Sequence, residues 1–259
     1  MTEAKAPVPG FSMVFPPAVS DPELERRLGR GLGRVEERLE ACTARVADPR
    51  MAEIVGHLLA AERERLRPLL ALLGSEFGPG RAEGAADAGA VAELVHTASL
   101  HHDDVVDRAP VRHGVPSVNA LWGNRLAVLA GDWLLGQAAR IAVGLGPEAV
   151  RLHARTAERL VLGRSRKATG PGPGTDAVEH VEAAGKTAAL FSMALSIGAL
   201  QSGAPRYVVR DLGEFGERLG TAAVDGCLAR ARDVLERLPD NPAREALDSL
   251  CDSVTTRAA

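Results

Sequence analysis

The run His96-Thr97-Ala98-Ser99-Leu100-His101-His102-Asp103-Asp104-Val105-Val106-Asp107 concentrates the chemistry of this chain. Asp103 and Asp107 stand four residues apart, and Asp104 and Asp107 three apart. On a helix both spacings put side chains on one face. Like charges so placed repel, and hard carboxylate oxygens suit Mg²⁺, which removes the repulsion. Asp103, Asp104 and Asp107 are therefore expected to be metal ligands. The residues before them (Val91, Leu94, Val95, Ala98 and Leu100) are apolar on nearly all sides of such a helix. The carboxylates then end a buried helix and point into protein, where charge without counter-charge is costly.

The elements that hold this run are helical. The pattern from Asp21 opens with Pro22 and repeats Leu28, Leu32, Val35 and Leu39, with Asp21 as N-cap. A second helix is expected from Met51 to Leu73, after a break at Asp48-Pro49. A Gly-rich loop follows from Gly74 to Ala85, and the aspartate helix runs from Ala86 to Asp107. Pro110 and Pro116 stop its continuation. Further helices are expected from Ser117 to Trp122, Arg125 to Val143 and Glu148 to Lys167. Ala168 to Asp176 reads as a loop, and Ala177 to Leu200 as two segments meeting near Gly185. Tyr207 to Leu238, with interruptions at Gly220 and Gly226, and a last helix from Pro242 to Arg257 complete the chain. No window alternates as a strand would, so the expectation is an all-α bundle, one domain over residues 21–259 behind a flexible tail at 1–20.

Composition agrees. Aromatic residues are only 3% of the 259, so the core must be built from Ala, Leu and Val. A net charge of -3 speaks against a general nucleic-acid binder. Cys42, Cys227 and Cys251 are too scattered for a disulfide framework or a zinc site. No signal peptide and no membrane-spanning segment is apparent, so a cytoplasmic protein is expected.

The stretch from Glu93 to Leu135 resembles the trans-isoprenyl diphosphate synthases, the polyprenyl synthetase family. The likeness rests on ELVHTASLHHDDVVD, the turn Arg112-His113-Gly114 with Pro116 beyond it, and WGN followed by AVLAGDWLL. Arg65-Leu66-Arg67-Pro68-Leu69-Leu70 and Gly185-Lys186-Thr187-Ala188-Ala189-Leu190-Phe191 resemble two further family segments in the right order. The resemblance implies an isoprenoid synthase-type helical bundle. It also implies Mg²⁺-dependent ionisation of an allylic prenyl diphosphate and transfer to isopentenyl diphosphate or another acceptor. Asp103, Asp104 and Asp107 match its first aspartate-rich motif. Arg112 and Lys186 match cations that grip the diphosphate, and Thr187 a partner near the developing carbocation. Arg67 and His96 match the acceptor side. Small Ala98 and Ser99, just before the aspartates, are associated in the family with longer products. His101 replaces an apolar residue and reads as a core histidine with its hydrogen bonds satisfied.

The chain also departs from the family. Glu64 stands where the acceptor-side lysine belongs, and His113 where a second arginine does. After Leu219-Gly220 the second aspartate-rich motif is missing, with Asp225 its one candidate remnant. The bundle is therefore expected to be shorter by two or three helices near the C-terminus. Arg164, Arg166 and Lys167 read as a solvated basic helix end. Three functions fit: a prenyltransferase with an altered acceptor, an accessory subunit pairing with a full-length synthase, or a class I terpene synthase-like protein. The scarcity of aromatic faces to guide a carbocation speaks against the last. A homodimer or a heterodimer is expected.

Overall fold

Helix α1 (Pro22–Thr43) starts as its sequence dictates: the Asp21 carboxylate accepts from the backbone N–H groups of Glu23 at 2.7 Å and Leu24 at 3.4 Å. Its stripe of Leu24, Leu28, Leu32, Val35 and Leu39 is buried. The computed structural model describes residues 19–61, 64–80, 83–169, 176–225 and 228–258. Most of the 1–20 segment, the greater part of the 168–176 loop, and Cys227 lie outside them.

The expected second helix is two. α2 (Pro49–Ala61) ends before α3 (Leu66–Gly74) begins. Pro68 is the reason: within a continuous helix its ring clashes with the carbonyl of Glu64, four residues back, and it has no N–H to donate. At the third position of a new helix that missing N–H costs nothing. A short 3₁₀ turn (Ser75–Phe77) follows, and then α4 (Ala85–Asp107), buried along most of its length.

Two short strands, β1 (Val111–Arg112) and β2 (Val115–Pro116), form an antiparallel hairpin that the absence of alternation concealed. Its two-residue loop, His113-Gly114, has φ of 50° and 77°. Positive φ at both central residues is the sign of a type I′ turn, which matches the twist of the paired strands. α5 (Val118–Trp122), α6 (Asn124–Gly144) and α7 (Pro147–Thr169) follow. α8 (Asp176–Gln201) is one helix through Ala183-Ala184-Gly185, not two. α9 (Arg206–Asp225) passes through Gly220 unbroken, and α10 (Leu228–Leu235) and α11 (Pro242–Ala258) close the described chain.

α4 and α8 form the centre of the bundle. α4 packs on α1, α3, α6 and α8, and α8 packs on α3, α7 and α9. Two glycines of this centre are there for close approach. A Cβ on Gly198 would overlap the carbonyl oxygen of Ala71 in α3. One on Gly220 would overlap the backbone of Ala188, next to the Lys186-Thr187 pair. Cys42 and Cys251 are both buried.

Two stretches, Asn124–Gly144 and Ala183–Gln201, are long and apolar enough to cross a membrane, against the expectation of none. The second is a core helix, mostly buried among its neighbours. The first is apolar for another reason: its outer side exposes Val128, Leu129 and Val143.

Replacing Gly198 with Ala forces α8 away from α3. The expected loss is about 1–3 kcal/mol of unfolding free energy, the range of overpacked cores, measured by denaturant unfolding. A change within the error of the measurement would show that this contact is not tight.

Candidate active site

Near the C-terminal end of α4 the structure separates the three aspartates. Successive helical residues are rotated by about 100°, so Asp103 and Asp107 share a face while Asp104 turns toward the hairpin. Asp104 is 1% exposed, and its Oδ1 accepts from Arg112 Nε at 2.8 Å and Nη2 at 2.5 Å. The I′ hairpin is what brings Arg112 back onto α4. The Asp104 backbone carbonyl is gripped as well, by the N–H of Ala109 at 3.0 Å and the Asn119 side-chain amide at 3.1 Å. Arg108, in the left-handed conformation (φ 52°), ends the helix by donating to the same carbonyl.

Asp103 faces the opposite set of helices. Its Oδ1 accepts from Arg164 Nε of α7 at 2.8 Å, and its Oδ2 from Lys186 Nζ of α8. Arg164 also donates from Nη2 to the carbonyl of Ser99 at 3.1 Å, one turn earlier on α4. The basic-end reading is thus overturned for Arg164, whose side chain is only 14% exposed. Arg166 is exposed, as expected, and the side chain of Lys167 lies outside the described residues. Burial alone would raise the Asp103 pKa, but the charges of Lys186 and Arg164 outweigh it and hold the carboxyl below its ordinary range. Burial, reinforced by Arg67 and Arg164, pulls Lys186 below the usual lysine range against the attraction of Asp103. For Asp104 burial dominates even over Arg112 and raises the pKa.

The other expected site residues distribute unevenly. Arg67, at the start of α3, is close enough for its charge to act on Lys186, and its Nε is buried without a hydrogen bond. His96 is buried on α4, two turns before Asp103 on the same side of the helix. Asp107 is exposed one turn beyond Asp103. Thr187 donates its hydroxyl to the Ala183 carbonyl at 3.0 Å. Glu64 is exposed. Asp225 ends α9, its side chain outside the described residues.

Two features escaped the sequence reading. Arg65 is a buried structural cation, bonded to Glu36 on α1 at 2.5 Å, Glu93 on α4 at 2.9 Å and the Leu59 carbonyl at 2.8 Å. Its position in an arginine-rich segment gave no hint of this. His101 is fully buried, but neither ring nitrogen has a hydrogen-bond partner, which corrects the expectation of a satisfied histidine. Thr97 Oγ1 and Asp104 Oδ2, on the same helix face, are likewise buried without partners.

As to a metal, hard carboxylate oxygens one turn apart on Asp103 and Asp107 suit a divalent cation. Among the described residues no group of three or more His, Cys, Asp or Glu gathers as a ready site. The reasons are visible: Asp104 is turned to Arg112, and both oxygens of Asp103 carry cations.

The Polyprenyl synthetase family model matches residues 48–223, more than half of the chain. The chain belongs to the polyprenyl synthetase family. Among relatives, nonaprenyl diphosphate synthase of Mycobacterium tuberculosis is 42% identical over 195 residues, covering 74% of this chain and 58% of the relative. Heptaprenyl diphosphate synthase component 2 of Geobacillus stearothermophilus is 34% identical over 198 residues, covering 74% of this chain and 61% of the relative. This polyprenyl synthetase chain therefore spans about three fifths of the length of the curated relatives it matches. Geranylgeranyl pyrophosphate synthase of Corynebacterium glutamicum superposes with a TM-score of 0.80 at 27% identity, covering 96% of this chain and 97% of that one. Decaprenyl diphosphate synthase of Rhodobacter capsulatus shares the fold with a TM-score of 0.82 at 24% identity, covering 92% and 99%. The all-α isoprenoid synthase-type expectation is borne out.

Burial, with smaller contributions from His102 and His57, lowers the His101 pKa from 6.5 to about 4. A depressed histidine is neutral in both states at high pH, and the unfolded chain takes its proton first as pH falls. Stability is therefore lost between about pH 6.5 and 4, by about 3 kcal/mol in all. Denaturant unfolding across that window should show His101→Leu flattening the acid loss. Parallel profiles for the two proteins would contradict this.

Proposed function

We propose that this chain is a Mg²⁺-dependent prenyltransferase that binds an allylic prenyl diphosphate beside Asp103 and transfers its prenyl group. The observation that carries the reading is the convergence of Lys186 and Arg164 on Asp103, with Arg67 close enough to act on Lys186, in a family whose named relatives are prenyl diphosphate synthases. Asp103 and Asp107 would hold the cation, with Asp104 locking Arg112 and the hairpin against α4. When bound, Mg²⁺ supplies charge neutralisation of the leaving pyrophosphate. Lys186 holds the diphosphate oxygens as charge develops on them, a contribution that grows as the C–O bond breaks, while Arg67 serves the acceptor's side of the site. The electron pair for the new bond comes from the double bond of the acceptor, isopentenyl diphosphate or another nucleophile, which then loses a proton. His96, buried on the Asp103 side of α4, lies on the acceptor side. Thr187 faces the reacting carbon through its hydroxyl oxygen, whose hydrogen is given to Ala183.

A second reading is that the chain works as one subunit of a two-chain enzyme. It is favoured by the relative named as component 2 of heptaprenyl diphosphate synthase. The exposed Val128, Leu129 and Val143 of α6 and Val161 and Leu162 of α7 offer an apolar surface for a second copy or a full-length synthase.

Incubation of the purified chain with Mg²⁺, labelled isopentenyl diphosphate and allylic diphosphates of several lengths tests the transfer. Extended product is expected, with Asp103→Asn slowing it by roughly a hundredfold, as for loss of one transition-state charge contact. No product and no pyrophosphate release, together with co-sedimentation with a full-length synthase, would replace the first reading with the second.

A further inference from the structure

Arg164 sits where a dication is expected to sit. Its Nε occupies Asp103 Oδ1, while Lys186 occupies Oδ2. Arg164 is held in this place by its second bond, to the Ser99 carbonyl, so its guanidinium bridges two successive turns of α4. These contacts use two of the five N–H groups of a guanidinium. A third cation, Arg67, acts on the same Lys186.

Two positive charges thus hold one carboxylate, while Asp104 is committed to Arg112. A divalent cation arriving alone meets net repulsion at Asp103 and must displace a charge-assisted hydrogen bond, among the stronger kinds. A diphosphate arriving alone is attracted. A planar guanidinium also matches phosphate oxygens in paired contacts, so Arg164 has an alternative partner as good as Asp103.

We propose that Arg164 makes metal binding at the aspartates conditional on the diphosphate: it holds Asp103 until diphosphate oxygens draw it away, freeing the carboxylate for the cation. The proposal rests on the diphosphate reading given above and adds an order to it. Binding energies are reciprocal, so the diphosphate must strengthen metal binding by the same factor by which the metal strengthens diphosphate binding. Arg164 is a positioning residue toward the metal and a binding residue toward the diphosphate.

The test needs no turnover. Mn²⁺ binding is titrated by electron paramagnetic resonance with and without inorganic pyrophosphate, and pyrophosphate binding by calorimetry in chelator. Wild type, Arg164→Gln and Arg164→Lys are compared. In wild type, pyrophosphate is expected to tighten Mn²⁺ binding at least about tenfold, the usual size of a coupling between sites. Arg164→Gln should bind Mn²⁺ alone roughly tenfold more tightly than wild type and pyrophosphate in chelator roughly tenfold less tightly, each factor matching about one lost charge-assisted contact. Arg164→Lys should keep most of the pyrophosphate affinity. Unchanged or weaker Mn²⁺ binding in Arg164→Gln, or wild type without coupling, would overturn the proposal. The wild-type measurement decides even if a variant fails to fold. Prenyl transfer by a wild type without coupling would remove the role of Arg164 alone. Coupling without any transfer would remove the transfer reading alone.

Discussion

Negative charge at the C-terminal end of a helix is the constraint around which this molecule is built. The backbone dipole already places partial negative charge there. α4 adds Asp103, Asp104 and Asp107 to its final turns and buries the second of them. Such an end is stable only if cations are delivered from elsewhere in the chain. The delivery comes from three directions: Arg112 from the hairpin, Arg164 from α7 and Lys186 from α8. Each must arrive at hydrogen-bond distance, so the backbone around α4 is fixed more tightly than apolar packing alone would require.

That demand accounts for the less regular parts of the fold. The hairpin is too short to carry a core of its own, and its two positive-φ residues serve to turn Arg112 back over α4. α8 reaches the site because Gly198 and the facing Gly220 of α9 let backbones approach without side chains between them. On the far side Arg65 ties α1, α2 and α4 together through Glu36, the Leu59 carbonyl and Glu93. Breaking such a buried pair leaves an uncompensated charge, which is why it fixes the helices more firmly than its own net energy suggests.

Much of this was legible in the sequence, and the failures have physical causes. The Leu28, Leu32, Val35 and Leu39 stripe and the Asp21 cap located α1 because periodicity and capping are local properties. The split between α2 and α3 is also local: Pro68 stands in the sequence, and its missing N–H and ring outweigh the apolar pattern around it. The β1–β2 hairpin escaped because two-residue strands are too short to show alternation. At the site, spacing placed Asp103 and Asp107 on one face but exaggerated the fellowship of Asp104, whose rotation about the helix turns it toward Arg112. The roles of Arg164 and Arg65 were beyond reach. Each depends on a partner distant in sequence, and nothing local separates an arginine that meets a carboxylate from one that meets water.

The site depends on Arg164 and Asp103 acting as a coupled pair. A double-mutant cycle with Asp103→Asn and Arg164→Gln, read by denaturant unfolding, measures that coupling directly. An interaction free energy of at least about 1 kcal/mol is expected for groups in one partly buried ion-pair network. Effects that add to within about 0.3 kcal/mol would contradict the pairing on which the site depends.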